Sequence, residues 1–347
     1  MSSIREVSLV QHSAEVNNSR VWSVDWHHSG KNLVSCGADK TVKVWRLEGD
    51  KLEKIQTISG DQSRSIRFGK FSYCGNFLAT ASFDASVIVY EFNELVLFCL
   101  DRDVIGISRG AFEERHRLEG HENEVKCVQF SPSGRYIATC SRDKTVFVWA
   151  AEDDEAEFNL QTVIQKHTAD VKCLVWHPDH ELLISGGYDD CIGLHYFDGE
   201  DWVNGQLIES AHDSTVWSVS WDPTGRFLAS VGDDHSLRIW ELVDPIPTSG
   251  AKLMKIATFE VENSRWPLFS VDWNKKNGLI AIAGADMKVR ILQFNQDSQT
   301  IVLLNEKAIE SEVNSVCWNP VQQDLLAIAC DDETLRNMKL KKSLWTR

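Results

Sequence analysis

Apolar and polar residues along this chain come in short, recurring bursts. The segment Val125-Lys126-Cys127-Val128-Gln129-Phe130 is apolar at its first and fourth positions and aromatic at its sixth. It then meets the turn Ser131-Pro132-Ser133-Gly134. Short β-branched and aromatic runs bounded by Pro, Gly and Ser predict strands and tight turns rather than helices. The same burst returns along nearly the whole chain.

A second segment keeps the same register. SRDKTVFVW, ending at Trp149, has relatives in GADKTVKVW (to Trp45), SFDASVIVY (to Tyr90) and DDHSLRIW (to Trp240). Fainter copies are YDDCIGLH (to His195), ADMKVRIL (to Leu292) and DDETLRNM (to Met338). The turn aspartates of these copies are Asp39, Asp84, Asp143, Asp189, Asp234, Asp286 and Asp332, at intervals of 45, 59, 46, 45, 52 and 46 residues. Thirteen positions before each (fourteen in the last copy) stands an aromatic: Trp26, Phe71, Phe130, Trp176, Trp221, Trp273 and Trp318. A hydroxyl residue lies four before the Asp in five copies, at Ser35, Thr80, Thr139, Ser185 and Ser230. A histidine lies 22 before it in three, at His121, His167 and His212.

These columns resemble the WD repeat, whose hallmarks are the pair Gly120-His121 and the closing Trp45, Trp149 and Trp240. The resemblance implies an all-β fold: a single seven-bladed propeller over residues 1–347, each blade a four-stranded sheet. It also implies a hydrogen-bonded network in each complete blade, from Asp to His to Ser/Thr to the Trp indole. In blade 3 that is Asp143, His121, Thr139 and Trp149; in blade 5, Asp234, His212, Ser230 and Trp240. Such a network stabilises only when every member is satisfied. Blade 2 departs, reading Gly60-Asp61 in place of Gly-His and Tyr90 in place of Trp; blade 4 has His195 where Trp belongs. Blades 6 and 7 keep only the Asp and are expected to be looser. The segment around Ile4 to Gln11 is expected to supply the outer strand of blade 7, so that the ring closes without a free edge.

Two stretches break the repeat. The long interval carries an insertion at about 93–115, which shows no clean strand alternation and reads as an exposed loop or as retained non-coding sequence. The tail 333–347 puts Asn337 and Met338 where a strand ending in Trp is expected, so it reads as a divergent strand or a misread exon.

Composition narrows the function. With 43% hydrophobic and 25% charged residues the chain has the mix of a soluble globular protein. Acidic residues outnumber basic ones 51 to 36, for a net charge of -15. Phosphate backbones and anionic lipid are therefore poor partners. The first twenty residues contain no signal-peptide core, and the apolar run Leu95 to Leu100 is far too short for a membrane helix. Nine cysteines without a secretory signal point to reduced thiols in the cytosol or nucleus.

Catalytic and cofactor chemistry finds no foothold. There is no phosphate loop and no C-x-x-C pair; Cys127, Cys173 and Cys317 read as small core residues. His121, His167 and His212 belong to separate blades and read as structural rather than metal-binding, while His12, His27 and His28 read as solvated. The run Glu152-Asp153-Asp154-Glu155 reads as a solvated turn. No cofactor, metal or enzymatic activity is expected, which leaves a binding platform.

Strand topology locates the platform. Side chains four before the aromatic column ring one channel mouth: Trp22, Arg67, Lys126, Lys172, Trp217, Phe269 and Asn314. The residue before each turn Asp joins them, bringing Phe83, Arg142 and Tyr188. Arg67, Lys126, Arg142 and Lys172 form a cationic cluster on an acidic chain, interleaved with aromatics, as partner-docking surfaces require. The competing structural account has Arg142 bracing blades by pairing with Asp143, Asp189 or another acid.

Longer stretches are more specific. HENEV with SRDK and an acidic EDDEAE loop, then YDD and DSTVWS, resemble the WD-repeat subunit family of the cytosolic iron–sulfur protein assembly machinery, most closely from Leu118 to Trp240. The resemblance implies a non-catalytic scaffold that helps deliver preassembled [4Fe–4S] clusters to apo-proteins of the cytosol and nucleus. Its implied partners are a MIP18-type subunit, a large HEAT-repeat adaptor and apo iron–sulfur client proteins. Arg142 matches the arginine of the family's SRDK block. A generic WD adaptor, such as a ubiquitin-ligase substrate receptor or a chromatin-complex scaffold, is the alternative.

Overall fold

A computed structural model describes residues 4–13, 19–100, 104–152, 157–244, 251–262, 264–341. They form seven antiparallel four-stranded sheets, each built in chain order from the channel outward except the last. Blade 3 is typical, running through Val125–Phe130, Tyr136–Ser141, Val146–Glu152 and Glu157–Ile164. The last sheet takes its inner three strands from the chain's end and its outer strand, Ile4–Gln11, from the beginning. Leu340 pairs with Ile4 and Thr334 with Gln11, so the ring closes. The tail is therefore a genuine third strand, Thr334–Leu340, with Asn337 and Met338 fully buried; residues 342–347 lie outside the described residues.

The insertion is not a loop. Strands Val87–Leu100 and Val104–Leu118 pair from Val87↔Leu118 to Leu100↔Val104, carrying the outer half of blade 2 beyond the sheet as a two-stranded ribbon. Alternation is absent from its sequence because the ribbon extends past the sheet whose face would impose it. The backbone of the apolar run is paired; its side chains, like residues 153–156 of the acidic run, lie outside the described residues.

Each turn Asp is followed by a residue in the left-handed region: Lys40, Ala85, Lys144, Asp190, His235, Met287 and Glu333, with φ between 54° and 74°. Six of the seven carboxylates hold their own turn by accepting the N–H two residues on, for example Thr145 N to Asp143 at 3.0 Å. This local bond explains why Asp persists in blade 7, which has lost the rest of the network.

Neighbouring blades meet in two ways. Apolar faces pack between them, as where Val34, Val42 and Ile58 of blade 1 meet Ile66, Phe71 and Leu78 of blade 2. In addition, the third and fifth residues of some inner strands reach the backbone of the next. Ser23 and Asp25 accept the N–H groups of Gly69 and Phe71. Ser218 and Ser220 accept those of Val271 and Trp273, while Ser270 and Asp272 accept those of Val316 and Trp318. Ser315 accepts Val24 N and closes the ring. In blades 2, 3 and 4 the equivalent residues are Phe68 and Lys70, Cys127 and Gln129, Cys173 and Val175, which bring no hydroxyl or carboxylate.

Candidate functional site

The network within a blade fixes the loops around the channel mouth. In blade 3 His121 Nδ1 lies 2.8 Å from Asp143, its Nε2 2.8 Å from Thr139 Oγ1, and Trp149 Nε1 donates to that oxygen at 3.0 Å. Burial alone would raise the Asp143 carboxyl, but bonds from His121 and Thr145 hold it well below the usual carboxylate range. A carboxylate only accepts, so Nδ1 carries the proton. With the ring neutral, Nε2 then accepts from Thr139. Blade 5 repeats the arrangement through Asp234, His212, Ser230 and Trp240, at 2.9, 2.7 and 2.8 Å.

Of three substitutes only His12 lies outside the repeat register; Gln62 stands 22 residues before Asp84, and His195 stands in the column of the closing Trp. His12 is buried, not solvated: its Nδ1 lies 2.9 Å from Ser35 Oγ and its Nε2 3.3 Å from Asp39. It reaches blade 1 from 27 residues upstream instead of 22, with the ring reversed. In blade 2 the histidine's place belongs to Gln62, which accepts from Thr80 at 3.0 Å and donates to Ser86; Asp61 instead receives the Tyr90 hydroxyl. In blade 4 His195 stands in for the indole, 2.9 Å from Ser185 Oγ, and burial lowers its pKa to about 3. His27 is half-buried against Phe71, whereas His28 is exposed.

Blades 6 and 7 exchange the network for ion pairs. Arg290 binds Asp286 at 2.5 Å and Glu306 at 2.7 Å. Arg336 binds Asp332 at 2.5 Å and Glu6, on the closing N-terminal strand, at 3.3 Å. The hydroxyl and indole positions hold Ile282 with Leu292 and Ile328 with Met338, all fully buried. Asp286 Oδ1, Arg290 Nη1 and both amide atoms of Asn337 have no partner among the described residues.

At the mouth, Trp22, Arg67, Phe83, Lys126, Lys172, Trp217, Phe269 and Asn314 line one cavity of about 160 Å³. Below it the channel widens to about 380 Å³. Lys126 Nζ sits 4.2 Å from the Phe83 ring, and Lys172 Nζ lies 5.1 Å from Tyr188 and 5.3 Å from Trp217. Arg67 stacks 5.4 Å from Trp22 and donates to its carbonyl. Each position thus places a cation against an aromatic face, which orients both.

These cations do not stand unopposed. Glu124, which sequence reasoning passed over, is a hub: Lys126 lies 2.5 Å from it, Arg64 3.0 Å and Arg142 3.7 Å. Its carboxyl would be raised by burial but is held low by Lys126 and Arg64. Burial in turn lowers Lys126 against the pull of Glu124. Lys172 pairs with Asp170, and Trp217 Nε1 donates to Asp233. Arg142 therefore faces neither Asp143 nor Asp189; its partner is Glu124, and its side chain is 56% exposed. Tyr188, against Lys172 on the rim, is 58% exposed. Arg64, likewise 56% exposed, was missed because it precedes the inner strand. Among the described residues no group of three or more His, Cys, Asp or Glu could hold a metal ion, and no helix is long and apolar enough to cross a membrane.

The repeats match a known family. Residues 7–46, 52–91, 112–150, 158–195 and 205–241 match the WD domain, G-beta repeat, leaving a gap at the ribbon. Residues 271–344 match the anaphase-promoting complex subunit 4 WD40 domain. The chain is thus a WD-repeat propeller. It is 40% identical to the probable cytosolic iron-sulfur protein assembly protein CIAO1 homolog of Caenorhabditis elegans, over 97% of this chain and 99% of that one. It is 35% identical to the probable cytosolic iron-sulfur protein assembly protein Ciao1 of Culex quinquefasciatus, over 94% and 96%. Identity is 30% to the probable cytosolic iron-sulfur protein assembly protein 1 of Botryotinia fuckeliana, over 79% of each. The chain belongs to the family of WD-repeat cytosolic iron–sulfur protein assembly proteins.

Proposed function

We propose that this protein is a non-catalytic scaffold of the cytosolic iron–sulfur protein assembly machinery, and that partners dock on the mouth formed by blades 2 to 4. The observation that carries the reading is the full-length kinship with iron–sulfur assembly proteins, joined to a mouth whose cations are held against aromatic rings. Arg142 is the leading contact, with Arg67, Lys126, Lys172, Trp22, Phe83, Tyr188 and Trp217 around it. Its guanidinium is exposed and only loosely held by Glu124, so a partner carboxylate can take it with two parallel hydrogen bonds. The proposed partners are a MIP18-type subunit, a large HEAT-repeat adaptor and apo iron–sulfur proteins of the cytosol and nucleus. The scaffold brings them together and holds no cluster itself.

Copurification from cell extract followed by affinity measurement tests this reading. Arg142→Ala should weaken capture of the MIP18-type subunit by about thirtyfold, the equivalent of losing about 2 kcal/mol at a hot spot. Its melting temperature should match that of Lys51→Ala, an exposed control outside the mouth. Arg142→Glu should bind more weakly still. Recovery of cullin adaptors or histone-modifying subunits instead, or a binding loss that only tracks unfolding, would overturn the proposal.

A further inference from the structure

The third position of each inner strand faces a register partner on the second strand. The seven pairs are Ser23–Cys36, Phe68–Ala81, Cys127–Cys140, Cys173–Gly186, Ser218–Val231, Ser270–Ala283 and Ser315–Ala329. Blade 3 alone sets two thiols opposite each other. Directly paired residues of antiparallel strands have Cα atoms about 4.5–5.5 Å apart, within the roughly 4.4–6.8 Å that a disulfide spans. Both side chains lie on the face of blade 3 that packs against Val171 and Leu174 of blade 4.

Cys127 also lines the channel, together with Arg67 and Gln129. Gln129 Nε2 donates to its sulfur at 3.8 Å. Burial would push the Cys127 thiol up. Hydrogen bonds from Cys140, the Leu174 N–H and Gln129, with Arg67 nearby, carry it below the ordinary thiol value. Cys140 moves the other way, raised by burial and by its hydrogen-bonded neighbour Cys127. Cys127 lines the channel and Cys140 does not, so an oxidant in the channel meets the Cys127 sulfur first.

We propose that Cys127 and Cys140 form an oxidant-responsive dithiol, closed to a cross-strand disulfide by a peroxide entering the channel. The Cys127 thiolate attacks one peroxide oxygen, the O–O bond breaks, and the departing oxygen leaves as water after taking a proton; Cys127 becomes a sulfenic acid. The Cys140 sulfur then attacks the Cys127 sulfur, the S–O bond breaks, and the sulfenic oxygen leaves as a second water with the Cys140 proton. Two thiols are oxidised and one peroxide is reduced to two waters. The bond would form one residue from Lys126 and two from Arg142, so oxidation is written into the strands that carry the mouth.

Treating the reduced full chain with hydrogen peroxide, capping free thiols and digesting with trypsin under non-reducing conditions tests this. Cleavage after Lys126, Arg135 and Arg142 puts the two cysteines on separate peptides, 127–135 and 136–142, joined only if the disulfide forms. The joined pair should accumulate by the time the exposed Cys74 has been consumed. Capture of both cysteines as capped thiols at that point would overturn the proposal, and this readout needs no variant. In Cys140→Ser, dimedone should label Cys127; labelling of Cys74 alone, in a chain whose melting temperature shows it folded, would overturn the assignment of Cys127 as the attacking sulfur.

Discussion

Blades 3 and 4 and blades 6 and 7 are built on the same repeat yet are held in opposite ways. Blades 3 and 4 have complete networks within the blade, through His121 and His167, and their inner strands bring no hydroxyl or carboxylate to the next blade's backbone; Glu124 reaches blade 2 only at the rim, through Arg64. Blades 6 and 7 have no histidine, and both are joined to their neighbours through Ser218, Ser220, Ser270, Asp272 and Ser315. A propeller needs each blade rigid and each junction closed, and this ring meets the need with either kind of bond. The blades tied internally also carry the cations of the mouth. Arg67, Lys126 and Lys172 each sit one residue before Phe68, Cys127 and Cys173. The proposed recognition surface therefore coincides with the junctions whose inner strands meet through apolar packing and sulfur.

The largest test of this contrast removes a junction tie. Asp272 is half-buried in the channel wall; its carboxylate accepts Trp318 N at 2.7 Å and the Ser220 hydroxyl at 3.3 Å. In Asp272→Ala both donors lose their acceptor, at a cost of about 3 kcal/mol or more. Gln129→Ala at the same position of blade 3 should cost under about 1 kcal/mol, since its amide meets only a sulfur. Both junctions keep an indole-to-carbonyl bond, Trp318 to Asp272 and Trp176 to Gln129, so the pair isolates the side chains. Urea unfolding of the two variants measures the difference; equal costs would break the comparison.

The converse test removes an internal tie. Thr139→Val keeps the shape of the side chain but takes away the oxygen that joins His121 to Trp149. About 2 kcal/mol should be lost, the penalty of two buried polar groups left unpaired. Hydrogen exchange should place the loss in blade 3 and leave blades 6 and 7 unchanged, where isoleucine already fills the position.

Acid should separate the same regions. Burial lowers His195 to about 3 and His177 to about 4, and it also lowers His12 and His212. A histidine lowered in the folded chain stays neutral while the unfolded chain takes up a proton. Its contribution to stability is therefore complete above about pH 6.5 and falls as pH drops toward the folded value. Blades 6 and 7 contain no histidine. Protection against hydrogen exchange should thus weaken between pH 7 and 4 in blades 1, 4 and 5 before it does in blades 6 and 7. His195→Trp should reduce the response of blade 4, leaving the part that His177 contributes.

Much of this was legible because it is local. The turn aspartates announce themselves at a nearly constant distance from the aromatic column, and all but Asp286 hold the left-handed residue that follows by a local hydrogen bond. The mouth residues were legible for a related reason: the inner strand has a fixed length, so one position always meets the rim. What stayed hidden is a change of side chain or of connection. His12 enters blade 1 across a variable connection, Gln62 does a histidine's work in the histidine's own register with a different side chain, and Glu124 gathers three cations from three chain positions. Ser23, Ser218, Ser270 and Ser315 were passed over, because their acceptor role needs the neighbouring blade's backbone, which no single blade contains.

The smallest expected effect comes from the residue that fits neither scheme. Asn337 is fully buried in the third strand of blade 7, yet its amide nitrogen and oxygen both lack a partner among the described residues. Blade 7 otherwise treats this region as apolar core, with Ile328 and Met338 in the positions that are Thr139 and Trp149 in blade 3. An unpaired amide in such surroundings opposes folding, and replacing it by an apolar side chain of similar size removes that opposition. Asn337→Leu should therefore raise stability by about 1 kcal/mol, the gain from relieving one poorly satisfied group. The sign is what matters. Thr139→Val and Asn337→Leu both exchange a buried polar group for an apolar one, and the first should destabilise while the second stabilises. Loss of stability in Asn337→Leu, measured by urea unfolding beside Thr139→Val, would mean that blade 7 holds a polar tie of its own, and the division between blades 3 and 4 and blades 6 and 7 would fail.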